Sequence, residues 1–448
     1  MNRGISVAGI LGLAVFCLAP RLEAGEVRRL TLEDAVRLAM GQNRELKIAR
    51  LKVDEKRQKK AGEHAGYFPT ITNLSNVLHI TELQNVEIPA GGLGFAGGTP
   101  IPSQAVNLQQ GNLTLFTSGT MIAEPLTQLI RIHQQNRIAA SDVTISQDDV
   151  KKAENELTVQ VHTLYYGILV TQLQEKAAEQ QVQFANENLR ESDESVRNGS
   201  VLRVAAIGSH AELLQSQQNV LTADLQLADL KTELNDILGL PLDTDLDLDP
   251  AVPTSFDLEN KNDYLKIAWG ENPEILAAEE TLRKARAGVA AARTAYIPDV
   301  TAFARHSYQD GVPFLVRNFG TFGVSLSYDV FDFGKRRAAV REREIEVAQA
   351  EENVERLKEQ VAVAVERTYN KVERTQSMVA VARQVAQLRE ESERLATNQV
   401  TYGVVQISDR KQATAANFKA KADLLQASLG YLLARAELEQ AVGRRPGF

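Results

Sequence analysis

The stretch Thr127–Arg197, TQLIRIHQQNRIAASDVTISQDDVKKAENELTVQVHTLYYGILVTQLQEKAAEQQVQFANENLRESDESVR, decides the fold. It holds no proline and a single glycine, Gly167. It therefore reads as one uninterrupted helix, about 105 Å long at 1.5 Å per residue. Apolar residues recur seven apart at Val143, Val150, Leu157 and Leu164, joined by Val161 and Ile168. That is the seam of a helix packed lengthwise on other helices. Taken alone, it fits any cytoskeletal or adaptor coiled coil.

The same stretch occurs twice. Moving each seam position 204 residues on gives Val347, Val354, Val361, Thr368, Val365 and Val372, so five of the six are again apolar, all of them valine. The second run, Lys335 to Tyr402, has neither glycine nor proline. The same offset carries Tyr165 to Tyr369, Gly199 to Gly403 and Gly239 to Gly443. Upstream, Asn43, Tyr67 and Pro69 match Asn272, Tyr296 and Pro298 at an offset of 229. The two offsets differ by 25, the length of an insertion in copy one between Pro69 and Pro125.

Working outward, Thr31-Leu32-Glu33-Asp34 resembles a capping box, and helix resumes from Asn43 to about Gly66. Tyr67-Phe68-Pro69 ends it. A strand over about 70–81, with Leu74, Leu78 and Ile80 on one face, leads through a Gly/Pro-rich loop, Pro89 to Pro102, into a second strand over about 112–123. After the long helix, Asn198-Gly199-Ser200 turns the chain into a returning helix half as long. Copy two repeats the order, with strands over about 299–308 and 319–328. The domain plan is repeat one over 25–239, an acidic linker over 240–262, and repeat two over 263–448. Phe322, Val324, Leu326 and Tyr328 alternate with Thr321, Gly323, Ser325 and Ser327, the dyad of a barrel strand with lipid outside and water inside. Within each copy two shorter helices flank a long one, so each contributes two full-height staves. Four strands cannot close a barrel, and an open edge in lipid leaves backbone groups unpaired at several kcal/mol each. Oligomerisation is required, with eight strands as a dimer or twelve as a trimer.

Composition agrees: 6% aromatic residues and 13 prolines in 448 residues suit long helices better than a globular enzyme. A formal charge of −8 argues against a nucleic-acid partner. Residues 1–24, with Arg3, an apolar run from Ile5 to Ala19 and Leu22-Glu23-Ala24, read as a secretory signal peptide. Removing it leaves a chain without cysteine, hence without disulfides or thiolate metal sites. Gly92-Leu93-Gly94-Phe95-Ala96-Gly97 fits the dinucleotide glycine pattern but lacks the helix that must follow it. Asp243, Asp245, Asp247 and Asp249 alternate like calcium ligands, yet Leu248 stands where the loop needs glycine; a solvated edge strand is the better reading. The six histidines show no ligand spacing, and no nucleophile sits with a base. No catalytic, cofactor or metal site is expected.

The doubled order of helix, Tyr-x-Pro, strand, loop, strand, long helix, glycine turn and returning helix resembles the TolC-like outer-membrane efflux protein family, over about Leu30 to Gly443. Leu32-Glu33-Asp34-Ala35, Tyr67-Phe68-Pro69, Tyr296-Ile297-Pro298 and Tyr328-Asp329-Val330-Phe331-Asp332-Phe333-Gly334 carry the likeness. It implies a fold that is mainly α with a membrane β-barrel portion: a trimeric α-helical tunnel plus a 12-stranded barrel in the outer membrane, extending into the periplasm. It further implies a passive exit duct of a tripartite efflux or type I secretion system, a homotrimer gated by a periplasmic adaptor (membrane fusion) protein and an inner-membrane transporter. The family places acidic constricting rings just after the second glycine turn. Asp409 matches the first such position, while the next is Gln412, with Arg410 and Lys411 between. Asp409 reads either as that ring or as a surface helix residue paired with a lysine. The turns Gly199-Ser200-Val201-Leu202 and Gly403-Val404-Val405 would face the adaptor, their apolar residues in exposed turns marking a partner surface. The other function class is a structural periplasmic coiled-coil adaptor without a pore.

Overall fold

The computed structural model describes residues 28–83, 85–109, 111–250, 258–311, 316–402 and 406–446. The expected leader, 1–24, and the turn Gly403-Val404-Val405 lie outside them. The chain runs β1 (Arg28–Leu30), α1 (Leu32–Gln42), α2 (Arg44–Ala65), β2 (Thr70–His79), β3 (Asn85–Ile88), β4 (Phe95–Ala96), β5 (Thr99–Pro100), β6 (Val106–Gln109) and β7 (Thr114–Pro125). It continues as α3 (Leu129–Arg197), α4 (Arg203–Leu238), β8 (Leu246–Leu248), α5 (Lys261–Glu271), α6 (Pro273–Arg293), β9 (Asp299–Asp310), β10 (Asn318–Ser327), α7 (Lys335–Thr401) and α8 (Ile407–Val442).

The long helices α3 and α7 run 69 and 67 residues without a break, roughly 100 Å each. The turn side of the molecule sets α3 between α4 and α8; the sheet side sets it between α2 and α6. The second long helix, α7, packs on α8 and α6 and closes the slab at one edge. Stacking of the short helices rests on two asparagines. Asn43 accepts from the Leu46 amide at 3.0 Å, capping α2, while its Nδ2 donates to the Ile237 carbonyl in the last turn of α4. Asn272 repeats this, accepting from the Glu274 amide at 2.9 Å and donating to Ala441 of α8 at 2.9 Å. Each returning helix then stops on a left-handed glycine, Gly239 or Gly443, whose successor donates back to the helix, Leu240 to Asn235 and Arg444 to Glu439, both at 2.9 Å.

The buried core lies at mid-height. Leu157, Val161, Leu164 and Ile168 of α3 meet α1 and the end of α4, while Val361, Val365 and Val372 of α7 meet α5 and α8. The sequence seam is therefore the core over 157–168 and 361–372, while its outlying positions Val143 and Val347 are half-buried. The stretch 240–262, expected as an acidic linker, carries β8, which pairs in parallel with β1 and buries Leu246 and Leu248. Its aspartates face outward to Lys231 and Arg29, each at 2.9 Å. The Tyr165 hydroxyl lies 3.0 Å from the carbonyls of both Leu30 and Asp249 and pins this pair to α3. Tyr369, 204 residues on, donates to Glu259.

Strands β10, β9, β7 and β2 form one antiparallel sheet in that order. The loop expected over Pro89 to Pro102 lies within nested hairpins, β3 with β6 and β4 with β5, so Gly92, Gly94 and Gly97 occupy turns rather than a phosphate cradle.

Candidate functional site

Two regions position the expected functional residues: the sheet at one end of the slab and the helical turns at the other. The sheet register fixes which side chains share a face. Phe322, Val324 and Leu326 lie opposite Ala304, Ala302 and Val300, and Ala304 lies opposite Ile122, which pairs with Ile71. The other face holds Thr321, Ser325 and Ser327 opposite Arg305, Thr301 and Asp299. Leu74 and Leu78 fall on this second face, because facing is set by pairing parity across the sheet and not by one strand's pattern. Polar residues that share the apolar face satisfy one another: Asn73 donates to Thr120 at 2.8 Å and Ser75 to Ser118 at 2.9 Å. Self-satisfied polar pairs suit a surface without water. Within the chain β2 and β10 stand at the two edges of the sheet.

At the opposite end, α3 stops on Gly199 with φ of 70°, and the Ser200 amide and hydroxyl both donate to the Ser195 carbonyl. Val201 is exposed, and Leu202, the residue before α4, is 78% exposed. Ser192 and Ser209 then tie α3 to α4 at 2.9 Å. In the second hairpin Gln406 and Asp409 form a reciprocal cap at the start of α8, the Gln406 amide donating to the Asp409 carboxylate at 3.1 Å. Asp409 thus has a helix-capping duty that its three-residue spacing from Gln406 already announces. Its carboxylate remains exposed, as does Gln412. Lys411 reaches Gln183 of α3 at 3.2 Å, and the Ser408 amide donates to Glu191 at 3.1 Å, so the two hairpins lie side by side. The Lys411 ammonium is thereby drawn onto α3 and away from Asp409.

The family profile described as outer membrane efflux protein matches residues 35–240 and 265–444, both copies almost entire. The chain belongs to the outer membrane efflux protein family. Solved structures agree on the fold. The Campylobacter jejuni CmeC outer membrane channel superposes with a TM-score of 0.72 at 15% identity, over 92% of this chain and 85% of that one. Vibrio cholerae VceC superposes at 0.70 and 14%, over 93% and 97%. The open state of the Neisseria gonorrhoeae MtrE channel superposes at 0.65 and 17%, over 92% and 89%. No curated protein matches the sequence. The protein is an outer-membrane efflux channel, and its family is one of transport channels.

In this efflux channel the boundary between sheet and helices is aromatic. Phe68, Tyr296, Tyr328, Phe331 and Phe333 are exposed there, as belts at membrane interfaces are. Arg336 locks the boundary: its guanidinium lies 4.7 Å from the Tyr328 ring centroid, and its Nε donates to Asp332 at 2.8 Å. Asp332, held below the usual carboxylate range chiefly by the Arg336 amide, caps α7. On the facing side Thr127 accepts from the Val300 amide and donates to the Pro298 carbonyl, both at 2.8 Å. Sequence reading quoted Tyr328–Gly334 but stopped short of Arg336; a basic residue four positions after an aspartate at a helix start was the available signal.

Proposed function

We propose that three copies of this chain close into one duct, and that the duct is the passive outer-membrane exit of a tripartite efflux or type I secretion system. The observation that carries this reading is the pair of edges each protomer leaves open. One edge ends in β10 and α7; the other ends in β2, α2 and α4. Inside the chain the same element types already meet, since β7 joins β9, and α3 joins α6 and α8. Joining the two edges between copies repeats that junction, and a heterologous contact that closes is a ring. Apolar side chains wait on both edges, Ile207, Leu214 and Leu221 on α4 and Val381, Leu388 and Leu395 on α7, each set at heptad spacing. Closure also pairs the free backbone groups of β2 and β10.

In this assembly the apolar sheet face meets outer-membrane lipid and the helices extend into the periplasm. The turns at Gly199, Ser200, Val201 and Leu202, and at Gly403, Val404 and Val405, dock the periplasmic adaptor that links the duct to an inner-membrane transporter. Asp409 and Gln412 constrict the closed tip. The test is purification in detergent followed by mass measurement and planar-bilayer recording. A trimer whose conductance rises on addition of its adaptor supports the reading; a monomer that passes no current overturns it.

A further inference from the structure

We propose that Arg305, contributed by each protomer, forms a cationic ring inside the barrel that concentrates anions and the anionic groups of cargo. The inference rests on the trimeric-barrel reading above. Arg305 stands near the middle of β9, which spans Asp299–Asp310, and is exposed. An arginine facing lipid at mid-membrane costs about 2–4 kcal/mol, whereas one facing a water-filled lumen costs little. Its face agrees: Thr321 is its partner on β10, Phe303 and Ser307 flank it along β9 with Thr301 and Asp299 beyond on the same side, while Ala304 and Phe322 occupy the opposite face.

The neighbouring strand is shaped for it. Gly119 lies inside β7, where a glycine weakens a strand unless something approaches closely. Here a methyl group at position 119 would stand 2.9 Å from Arg305 Nη2 and 3.1 Å from Nε. The guanidinium therefore lies flat along the wall, fixed in height and leaving the lumen open. Among the described residues Arg305 makes no ion pair; Arg317 and Asp310, 3.2 Å apart, form theirs at the outer end of the sheet. Asp299, on the same face, lies six residues nearer the helices, about 20 Å along the strand. Three unneutralised guanidinium groups at one height in a low-dielectric wall focus a positive potential.

The experiment reads the local potential, independently of the periplasmic tip. T321C places a thiol across the strand from Arg305, and Cys17, the one native cysteine, lies in the expected leader. Bilayer recording follows modification by an anionic sulfonatoethyl and a cationic trimethylammonioethyl methanethiosulfonate, each scaled to its rate on free cysteine. The anionic reagent is expected to gain by about tenfold, the low end of electrostatic focusing, and R305Q to remove most of that gain while R305K keeps it. An unchanged ratio in R305Q overturns the ring, while reactivity of T321C leaves the lumen assignment standing. A silent T321C with a reactive V324C overturns both the ring and the facing of the sheet.

Discussion

Leucine 388 offers the most direct test of the closed duct. In the single chain it is 72% exposed on α7. Its counterpart 204 residues earlier, Phe184 on α3, is only half-buried even though α3 has neighbours on both sides. If a second protomer covers α7 as α8 covers α3, Leu388 loses roughly half its exposed surface. Full burial of a leucine side chain stabilises by about 1.5–3 kcal/mol, so each seam gains about 1 kcal/mol from Leu388, and three seams about 3. L388K forfeits this and must also dehydrate an ammonium, so the trimer should weaken by at least about a hundredfold in its dissociation constant. Mass photometry on dilution in detergent reads that constant. R383A is the control, because its counterpart Glu179 stays exposed on the flanked helix. A trimer of L388K as tight as the wild type, with R383A likewise unchanged, would refute the seam.

Other consequences concern the turns, the core and the tip. In G443A the new methyl meets the Asn272 Cα at 2.4 Å at a φ of 96°, so the cost should exceed about 3 kcal/mol, whereas G199A, with open space around it, should cost about 1; urea titration ranks the two. Burial pushes His162 down to about 4, with Glu33 pulling weakly the other way. The folded protein therefore holds the ring neutral, and up to about 3 kcal/mol present above pH 6.5 should be lost as pH falls toward 4; H162Q should flatten that loss in pH-dependent melting. D409N keeps an oxygen for the Gln406 amide, so the folded trimer should persist while divalent block and cation preference weaken in bilayer recordings; unchanged block would show that Asp409 only caps α8.

What the sequence disclosed and what it concealed divide along one physical line. Local signals were legible: runs without proline, with one glycine in the first and none in the second, gave α3 and α7, the dyad at Phe322 to Tyr328 gave β10, and the 204-residue echo placed Gly239 and Gly443 at equivalent stops. Features made by distant pairing were hidden. Strands β1 and β8 are three residues each; the alternating aspartates hinted at an edge strand inside the linker, but its parallel partner Arg28–Leu30 carries no local signal. Leu74 looked like the apolar face of β2 until pairing with β7 put it beside the polar set. Arg305 carries no local signal: its register partner on β7 is Met121, and only the fold lays its side chain over Gly119. At the tip, Asp409 was singled out for its charge, yet its capping partner Gln406 was overlooked.

The duplication also predicts the seam that no single chain displays. Strand β2 corresponds to β9 at an offset of 229, and β7 to β10 at 204. Inside the chain β7 pairs with β9, Thr120 opposite His306 and Ile122 opposite Ala304. Carrying both offsets across sets β10 of one protomer against β2 of the next, with Val324 opposite Val77 and Leu326 opposite Ser75. The parity is self-consistent, since all four residues lie on the face that holds Phe322. Directly opposed side chains have Cβ atoms about 4.5–5.5 Å apart, close to disulfide reach, while diagonal neighbours stand about 7–8 Å apart. Oxidation of V77C with V324C should therefore link protomers covalently in the membrane, and S75C with V324C should do so far less. Preferred linkage of V324C to N76C or L78C would mean a one-residue slip, with lipid and lumen faces exchanged at the seam. That outcome would show that the contact between protomers does not repeat the one within the chain.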